Sequence, residues 1–113
     1  MKIRSISRSF LDTMNANPLF NVIGYKEANS WKNLNRSQLF DMTSSCIDKL
    51  KYYNIKKDDR VAFKGKNAKE NLAWNLAANS MGAIWVPMYY DQSIDYCNFI
   101  INDCQPKILI SDN

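Results

Sequence analysis

The stretch of sequence that decides the fold is residues 55–87, IKKDDRVAFKGKNAKENLAWNLAANSMGAIWVP. Its first apolar run, Arg60–Phe63, is short and lies between two aspartates and a glycine, which is typical of a buried strand. A helix-like stretch with small apolar residues at steps of three and four follows it. Gly82 is expected to end that helix in a left-handed cap. Ala83–Val86 repeats the buried-strand pattern until Pro87, which is expected to end its hydrogen-bond ladder.

The alternation of strand and helix continues after this stretch. Ser93 is the predicted N-cap of a helix over about Ile94–Asp103, and Pro106 then breaks the chain. Lys107–Ile110 reads as a third apolar strand. Three short strands joined by crossover helices favour a parallel sheet, because each crossover returns the chain in the same direction.

The N-terminal part predicts a helix followed by a short hairpin. Ile3–Asn15 carries apolar residues at steps of three and four, which indicates an amphipathic helix. Leu19–Tyr25 is a predicted strand with a turn at Gly24. Trp31–Leu34 is its expected hairpin partner, joined to it by the polar loop Lys26–Ser30.

A second helix is predicted directly after the hairpin. Asn35 is a candidate N-cap with Gln38 as its capping-box partner, and the helix is expected to run to about Tyr53, with Asn54 as the stop. One face of this helix is apolar and consists of Leu39, Met42, Cys46, Ile47, Leu50 and Tyr53. The fold class is therefore α/β: residues 1–35 form a helix and a hairpin, and residues 36–113 form a helix followed by βαβαβ with a three-stranded, mainly parallel sheet.

Composition restricts the classes of function. The 113 residues allow one small domain, and 46% apolar residues exclude a disordered chain. The net charge of +4 raises nucleic-acid binding as a remote alternative, but the lysines are spread along the chain and no nucleic-acid-binding motif is present. No stretch has a secretory pattern or the roughly 20 apolar residues that a membrane span requires, so a cytoplasmic protein is expected.

Cysteine and histidine usage argues against metal and nucleophile sites. The chain has no histidine, so a serine–histidine or cysteine–histidine pair is excluded. Cys46, Cys97 and Cys104 are widely spaced and include no C-x-x-C pair. Cys97 and Cys104 are expected on one helix about 10 Å apart, too far for an unstrained disulfide. Free thiols in a reducing compartment are expected, and no metal site or catalytic residue is predicted.

Two polar segments have both a chemical and a structural interpretation. Lys64–Asn67 follows a strand and opens a helix, with Asn67 as predicted N-cap and Glu70 at the capping-box position. A phosphate could bind there, but a single glycine provides no cradle, and a simple turn is the preferred interpretation. Asp58 and Asp59 could act as a general acid–base pair only if both side chains faced the same cleft. The preferred interpretation is a loop that forms surface ion pairs, with a local Asp59–Arg60 anchor where the strand begins.

Tyr89 and Tyr90 are the best candidates for ligand contact. They follow the second strand of the predicted sheet, at the carboxyl edge where open α/β sheets bind ligands. Core and subunit-contact roles are the more common alternative for aromatic residues. No cofactor-binding residue is predicted for the chain alone.

Several short motifs in order resemble the N-terminal lobe of the adenylate-forming, AMP-binding acyl-CoA synthetases, of the long-chain fatty acid CoA ligase kind. The family's G-I/V-K-x-G-D-R-V-A passage is similar to Asn54–Ala62, and its N-x-x-E-W is similar to Asn67–Asn71. The family's G-A-x-x-V-P-x-Y matches Gly82–Tyr89, and its Y-I-L-N-D-S-x-x-K-x-L-I resembles Asn98–Cys104 with Lys107–Ile110. The order and spacing of these pieces, rather than any one of them, carry the resemblance.

The chain departs from the family at individual positions. Asp58 stands where glycine is usual, Asn71 replaces an aromatic residue, and Tyr90 stands where proline is common. With Asp58 in place of glycine, a strained or rearranged turn before the strand is expected.

The resemblance also implies what this chain lacks. The family uses ATP, Mg²⁺ and CoA, and its phosphate loop, adenine segment, ribose-binding aspartate and catalytic lysine have no counterpart here. The resemblance thus implies a truncated ligase-like protein, a fragment of a larger lobe, that does not activate a fatty acid with ATP by itself. Alternatives are one half of a split ligase, completed by a partner chain or by self-association, and a non-enzymatic interaction module.

Overall fold

The structure of the protein is a computed structural model, which describes residues 5–66 and 68–111. The elements in chain order are α1 (Ile6–Ala16), β1 (Asn21–Glu27), β2 (Ser30–Asn35), α2 (Arg36–Tyr52), β3 (Arg60–Gly65), α3 (Lys69–Ser80), β4 (Ile84–Tyr89), α4 (Ile94–Cys104) and β5 (Ile108–Ser111). The α/β class and the order of helix, hairpin, helix and βαβαβ are confirmed. None of the helices in the described ranges is long and apolar enough to cross a membrane.

The main sheet has three strands in the order β4-β3-β5, and both pairs are parallel. Val61 of the central strand pairs with Trp85 on one side and with Ile108 on the other. β1 and β2 form a separate antiparallel hairpin. The predicted three-stranded parallel sheet is therefore confirmed, with the first of its strands in the middle.

The sheet is buried on both faces because successive residues of β3 point in opposite directions. Val61 belongs to the larger core cluster, which includes α2 and α3, whereas Ala62 belongs to a smaller cluster with Cys97 of α4. Both residues have no solvent exposure. α2 and α3 pack on one face of the sheet, with α1 packed on both of these helices, and α4 packs on the other face.

Helix α2 begins and ends as its sequence predicts. The Asn35 side chain accepts a hydrogen bond from the Gln38 N–H at 2.8 Å, and the Gln38 side chain accepts one from the Asn35 N–H at 2.9 Å, which completes the capping box. Asn54 has a φ of 60° after the last turn, and the Ile55 N–H donates back to the Leu50 carbonyl at 3.0 Å. This pattern is a Schellman cap with asparagine in the left-handed position.

The hairpin turns within the predicted polar loop Lys26–Ser30 and not at Gly24. Gly24 lies inside β1 and pairs with Asn33, so the predicted turn at Gly24 is wrong. The chain turns at Ala28 and Asn29, which both have positive φ, as a two-residue hairpin turn with primed geometry requires. The turn contains no glycine, and this is why its sequence signal was weak.

Pro87 does not end the second parallel strand. β4 continues to Tyr89, and Pro87 pairs in register with Phe63. β4 is an edge strand of the described sheet, and an edge strand tolerates proline because one side of its backbone needs no partner.

Smaller differences concern helix starts and two apolar side chains. The predicted N-cap Asn67 and the predicted start of the first helix at Ile3 lie outside the described residues. Helix α3 begins at Lys69, and the preceding residue, Ala68, provides no side-chain cap. Tyr53 was expected on the apolar face of α2 but is 57% exposed, and Leu72 of α3 is 37% exposed. Tyr53 lies past the last helical turn, and Leu72 lies at the edge of the buried face of α3.

The turn between α2 and β3 retains the backbone shape of a glycine turn. Gly82 has a φ of 71° and ends α3 as predicted, with the Ala83 N–H donating to the Ala78 carbonyl at 3.0 Å. The Gly82 carbonyl accepts a hydrogen bond from the Asp58 N–H at 2.9 Å. Asp58 itself has a φ of 70°, a region that favours glycine. The expected strain is thus located at Asp58, and the turn is not rearranged.

Asp58→Gly is expected to raise the free energy of unfolding by about 0.5 kcal/mol, because it relieves an unfavourable left-handed residue. Asp58→Val should lower it by about 1–2 kcal/mol, since a branched side chain tolerates this conformation least. Urea denaturation followed by circular dichroism measures both. Lys57→Gly is the matched control, because Lys57 has no positive φ and should be destabilised by glycine. A lower stability for both glycine variants would contradict the assignment of strain to Asp58.

Candidate functional site

A cavity of about 520 Å³ lies at the carboxyl end of the parallel sheet. All three strands and helix α4 contribute to its walls, which consist of Lys64, Lys66, Met88, Tyr90, Ile94, Cys97, Asn98, Ile101, Leu109 and Ser111. Its volume lies in the range of small-molecule sites. The cavity is therefore the candidate functional site.

The strand order explains why a cavity forms there. The chain runs from the central strand β3 to β4 on one side, and then crosses to β5 on the other side. α3 makes the first crossover on one face of the sheet, and α4 makes the second on the opposite face. The order therefore switches between β3 and β5, and open α/β sheets bind ligands in the crevice at such a point.

The structure separates the two tyrosines that the sequence singled out. Tyr90 lines the cavity, and the Lys66 Nζ lies 5.4 Å from the centroid of its ring, within the range of a cation–π contact. Tyr89 is 68% exposed and is not among the lining residues. Its N–H donates to the Gln92 side chain at 3.0 Å and its carbonyl accepts from the Gln92 N–H at 3.2 Å, which shapes the loop before α4. Ligand contact by either tyrosine stays a prediction.

Sequence analysis named Lys64 only within the candidate phosphate segment Lys64–Asn67 and missed the α4 residues of this site. Lys64 follows Ala62 by two positions in β3, so both side chains lie on the α4 face of the sheet. The strand period of two could have identified Lys64, since a lysine there replaces an apolar residue on a buried face. Cys97 and Asn98 gave no comparable signal, because their place depends on how α4 docks.

The Lys64–Asn67 segment was also a candidate phosphate loop. Gly65 is the last residue of β3, is buried and pairs with Tyr89, so it has strand geometry. Within residues 5–66 and 68–111, no three His, Cys, Asp or Glu side chains come close enough together to hold a metal ion.

Asp59 is a structural anchor at the opposite end of the sheet, where β3 begins. Its carboxylate accepts a hydrogen bond from the Lys56 N–H at 2.7 Å and lies 3.3 Å from the Lys107 Nζ. The predicted Asp59–Arg60 pair is not formed; the Arg60 guanidinium instead donates to the Cys104 carbonyl at 2.6 Å. The hydrogen bond from Lys56, together with the Lys107 ammonium, lowers the pKa of Asp59.

Acid is therefore expected to weaken the fold partly through Asp59. Its pKa is lower in the folded than in the unfolded chain, so its stabilisation is complete above about pH 4 and is lost as the pH falls through the folded-state value. In urea denaturation, Asp59→Asn should lower stability at neutral pH, and the difference from the native protein should shrink in acid. Asp48→Asn is the control, because Asp48 is exposed on α2. A difference that grows in acid would contradict this role.

The cysteines are placed as free thiols, as expected. Cys46 and Cys97 are buried and Cys104 is half-buried. Burial raises the pKa of the Cys46 thiol to about 11, so this thiol is neutral at physiological pH. Cys97 contributes an apolar wall to the cavity.

Comparison with solved structures identifies the fold. The chain superimposes with a TM-score of 0.90 on NpsA of Klebsiella oxytoca in complex with 3-hydroxyanthranilyl-AMSN, with 20% identity over 99% of this chain and 22% of that one. The N-terminal subdomain of NpsA gives a TM-score of 0.88 at 20% identity, covering 98% of this chain and 28% of that one. The fatty acid AMP ligase of Legionella pneumophila gives 0.88 at 18% identity, covering 97% and 20%. This chain therefore spans about a fifth to a quarter of the length of these structures.

Comparison at the level of sequence identifies the family. No curated protein matches the sequence. The sequence profile described as AMP-binding enzyme matches residues 14–113, which is most of the chain. The fold is that of the N-terminal subdomain of adenylation enzymes. The chain belongs to the AMP-binding enzyme family.

Proposed function

We propose that this chain is the first part of the N-terminal subdomain of an acyl-activating ligase, of the long-chain fatty acid CoA ligase kind. The observation that carries the proposal is the family match over residues 14–113, together with the ordered motifs that resemble this subtype. The likeness to a fatty acid AMP ligase supports the fold that such an enzyme requires.

The role of this part is structural: it provides a layered scaffold beside the acyl site. The chain corresponds to about a fifth of the length of the adenylation structures that it matches. Its cavity is lined by two lysines and one aromatic ring but by no carboxylate that could hold a magnesium ion. Adenylate formation by this chain alone is therefore not expected, and ATP, Mg²⁺ and CoA would be bound by other segments of a complete ligase in the cytoplasm.

The surface of α4 and β5 supports assembly with further protein. Ile94, Tyr96 and Phe99 of α4 are between 51% and 73% exposed, and Leu109 of β5 is 46% exposed. Among the described strands, β5 pairs only with β3, so its other edge carries unpaired backbone groups. A second candidate function, one half of a split ligase, rests on this open edge.

ATP–pyrophosphate exchange with a mixture of fatty acids tests the proposal. The purified chain alone should show no exchange above a blank without protein. Exchange by the chain alone would contradict the proposed scaffold role. Addition of the chain to host lysate should leave the lysate's own exchange unchanged, and an increase above that background would favour the split ligase.

A further inference from the structure

We propose that Asn29 is a site of spontaneous chemical modification, at which the side-chain amide is lost as ammonia and aspartate or isoaspartate replaces asparagine. Asn29 lies in the two-residue turn of the β1–β2 hairpin, is exposed and has a φ of 63°. Ser30 follows it and supplies the attacking backbone nitrogen. The proposal concerns the hairpin alone and does not depend on the proposed ligase function.

The reaction needs water and no other reagent. The Ser30 backbone nitrogen bonds to the Asn29 Cγ, the Cγ–Nδ2 bond breaks, and ammonia leaves with the proton that the Ser30 nitrogen gives up. Water then opens the cyclic imide. Cleavage between the Ser30 nitrogen and Cγ gives aspartate, and cleavage between that nitrogen and the main-chain carbonyl carbon gives isoaspartate. The new acid ionises at neutral pH, so each event lowers the net charge of +4 by one.

The sequence narrows the reactive positions to two. It contains two asparagines that are followed by serine and none that is followed by glycine. A small following residue leaves its backbone nitrogen accessible, whereas a branched side chain crowds it. The two dipeptides are Asn29–Ser30 in the hairpin turn and Asn79–Ser80 in the last turn of α3. Because their covalent chemistry is the same, a difference in rate between them comes from the fold.

Helix α3 holds the Asn79 side chain away from the reaction. The Asn79 Nδ2 donates to the Asn75 carbonyl at 2.9 Å and to the Asn75 side-chain oxygen at 2.6 Å. The Ser80 hydroxyl donates to the Leu76 carbonyl at 2.7 Å. The Asn79 carbonyl accepts from the Gly82 N–H at 3.1 Å. The Asn79 amide therefore reaches the Ser80 nitrogen only when the end of α3 opens.

The hairpin turn holds Asn29 much less firmly. The Asn29 side-chain amide forms no hydrogen bond within the described part of the chain. The Ser30 N–H belongs to the last pair before the turn, Glu27–Ser30, where the Ser30 hydroxyl also donates to the Glu27 carbonyl at 3.1 Å. Both residues of this pair are exposed, so opening it disturbs no core packing. The φ of 51° at Ala28, a left-handed value, weakens the turn further.

Modification is expected to loosen the hairpin. Isoaspartate adds one carbon to the backbone of a turn whose geometry is set by two residues. The new carboxylate also lies two residues from Glu27, which already binds Lys32 at 3.0 Å and Lys69 at 3.8 Å. Lys69 belongs to α3, so the contact between the hairpin and α3 is the part of the fold that this reaction weakens.

Peptide mass spectrometry of the whole chain, incubated at neutral pH, tests the proposal. Trypsin releases residues 27–32 as one peptide, whose aspartate and isoaspartate forms separate by chromatography. Asn29 should convert at least about tenfold faster than Asn79, since the end of α3 must open first. In concentrated urea the two rates should become similar, because both sites are Asn–Ser dipeptides. Equal rates in the folded chain, or the same ratio of rates in urea, would overturn the proposal.

Variants at Ser30 test whether its backbone nitrogen is the attacking group. Ser30→Val should slow the loss of the Asn29 amide, because a branched side chain crowds the nitrogen, and Ser30→Gly should accelerate it. Ser80→Val is the matched control in the other dipeptide and should leave the rate at Asn29 unchanged. An unchanged rate at Asn29 in folded Ser30→Val would overturn the mechanism. If that variant does not fold, Ser30→Gly decides.

Discussion

Replacing Leu50 by alanine is expected to lower the free energy of unfolding by about 2–5 kcal/mol. Leu50 has no solvent exposure and belongs to the same buried cluster as Ile55, Val61 and Leu76, which joins α2, α3 and the sheet. The substitution removes apolar burial and leaves a cavity that a packed interior closes only in part. Small domains have a total free energy of unfolding of about 5–15 kcal/mol, so this one substitution removes a large part of the stability.

Urea denaturation followed by far-ultraviolet circular dichroism measures the loss for Leu50→Ala as a lower midpoint at constant slope. Leu19→Ala is the matched control, because Leu19 is 74% exposed and the same change of side chain should cost less than about 0.5 kcal/mol. Similar losses for the two variants would contradict the placement of Leu50 in the core.

Replacing Ala77 by leucine is expected to destabilise the fold by about 1–3 kcal/mol through overpacking. Ala73, Ala77 and Ala78 of α3 have no solvent exposure, and α3 packs on both α1 and α2. Small side chains on this face allow the helices to approach closely, and a leucine at the contact would force them apart. The interior offers no alternative position for the three added carbons of this side chain.

Ala16→Leu provides the matched control for Ala77→Leu, because Ala16 is exposed at the end of α1. The control should unfold within about 0.5 kcal/mol of the native protein. If Ala77→Leu is as stable as the control, the close contact of α3 with its neighbouring helices is wrong.

The fold could be predicted from sequence where local signals agreed with the packing. The capping box of Asn35 and Gln38 and the left-handed stops at Asn54 and Gly82 all occur as predicted, since each depends on residues adjacent in the chain. The hairpin loop was predicted within Lys26–Ser30, but its two turn residues were not, because Ala28 and Asn29 adopt positive φ without a glycine. The continuation of β4 through Pro87 was missed because it depends on which strand lies at the edge, and this is a tertiary property.

The candidate site was less predictable than the fold. The rule for carboxyl edges of parallel sheets directed attention to Tyr90, which does line the cavity. The same rule could not separate it from Tyr89, because one step along the chain reverses the direction of a side chain. Lys64 was a candidate only as part of the Lys64–Asn67 segment, and its place beside Met88 and Ser111 follows from the strand register, which the sequence did not show.

The measurement that most directly tests the central claim, a scaffold without its own nucleotide site, is the binding of magnesium ATP to the purified chain. Calorimetric titration should show no saturable binding at concentrations up to about 1 mM, which corresponds to a binding free energy of about −4 kcal/mol. Saturable binding at micromolar concentrations would contradict the account, because it would require a nucleotide site within this chain.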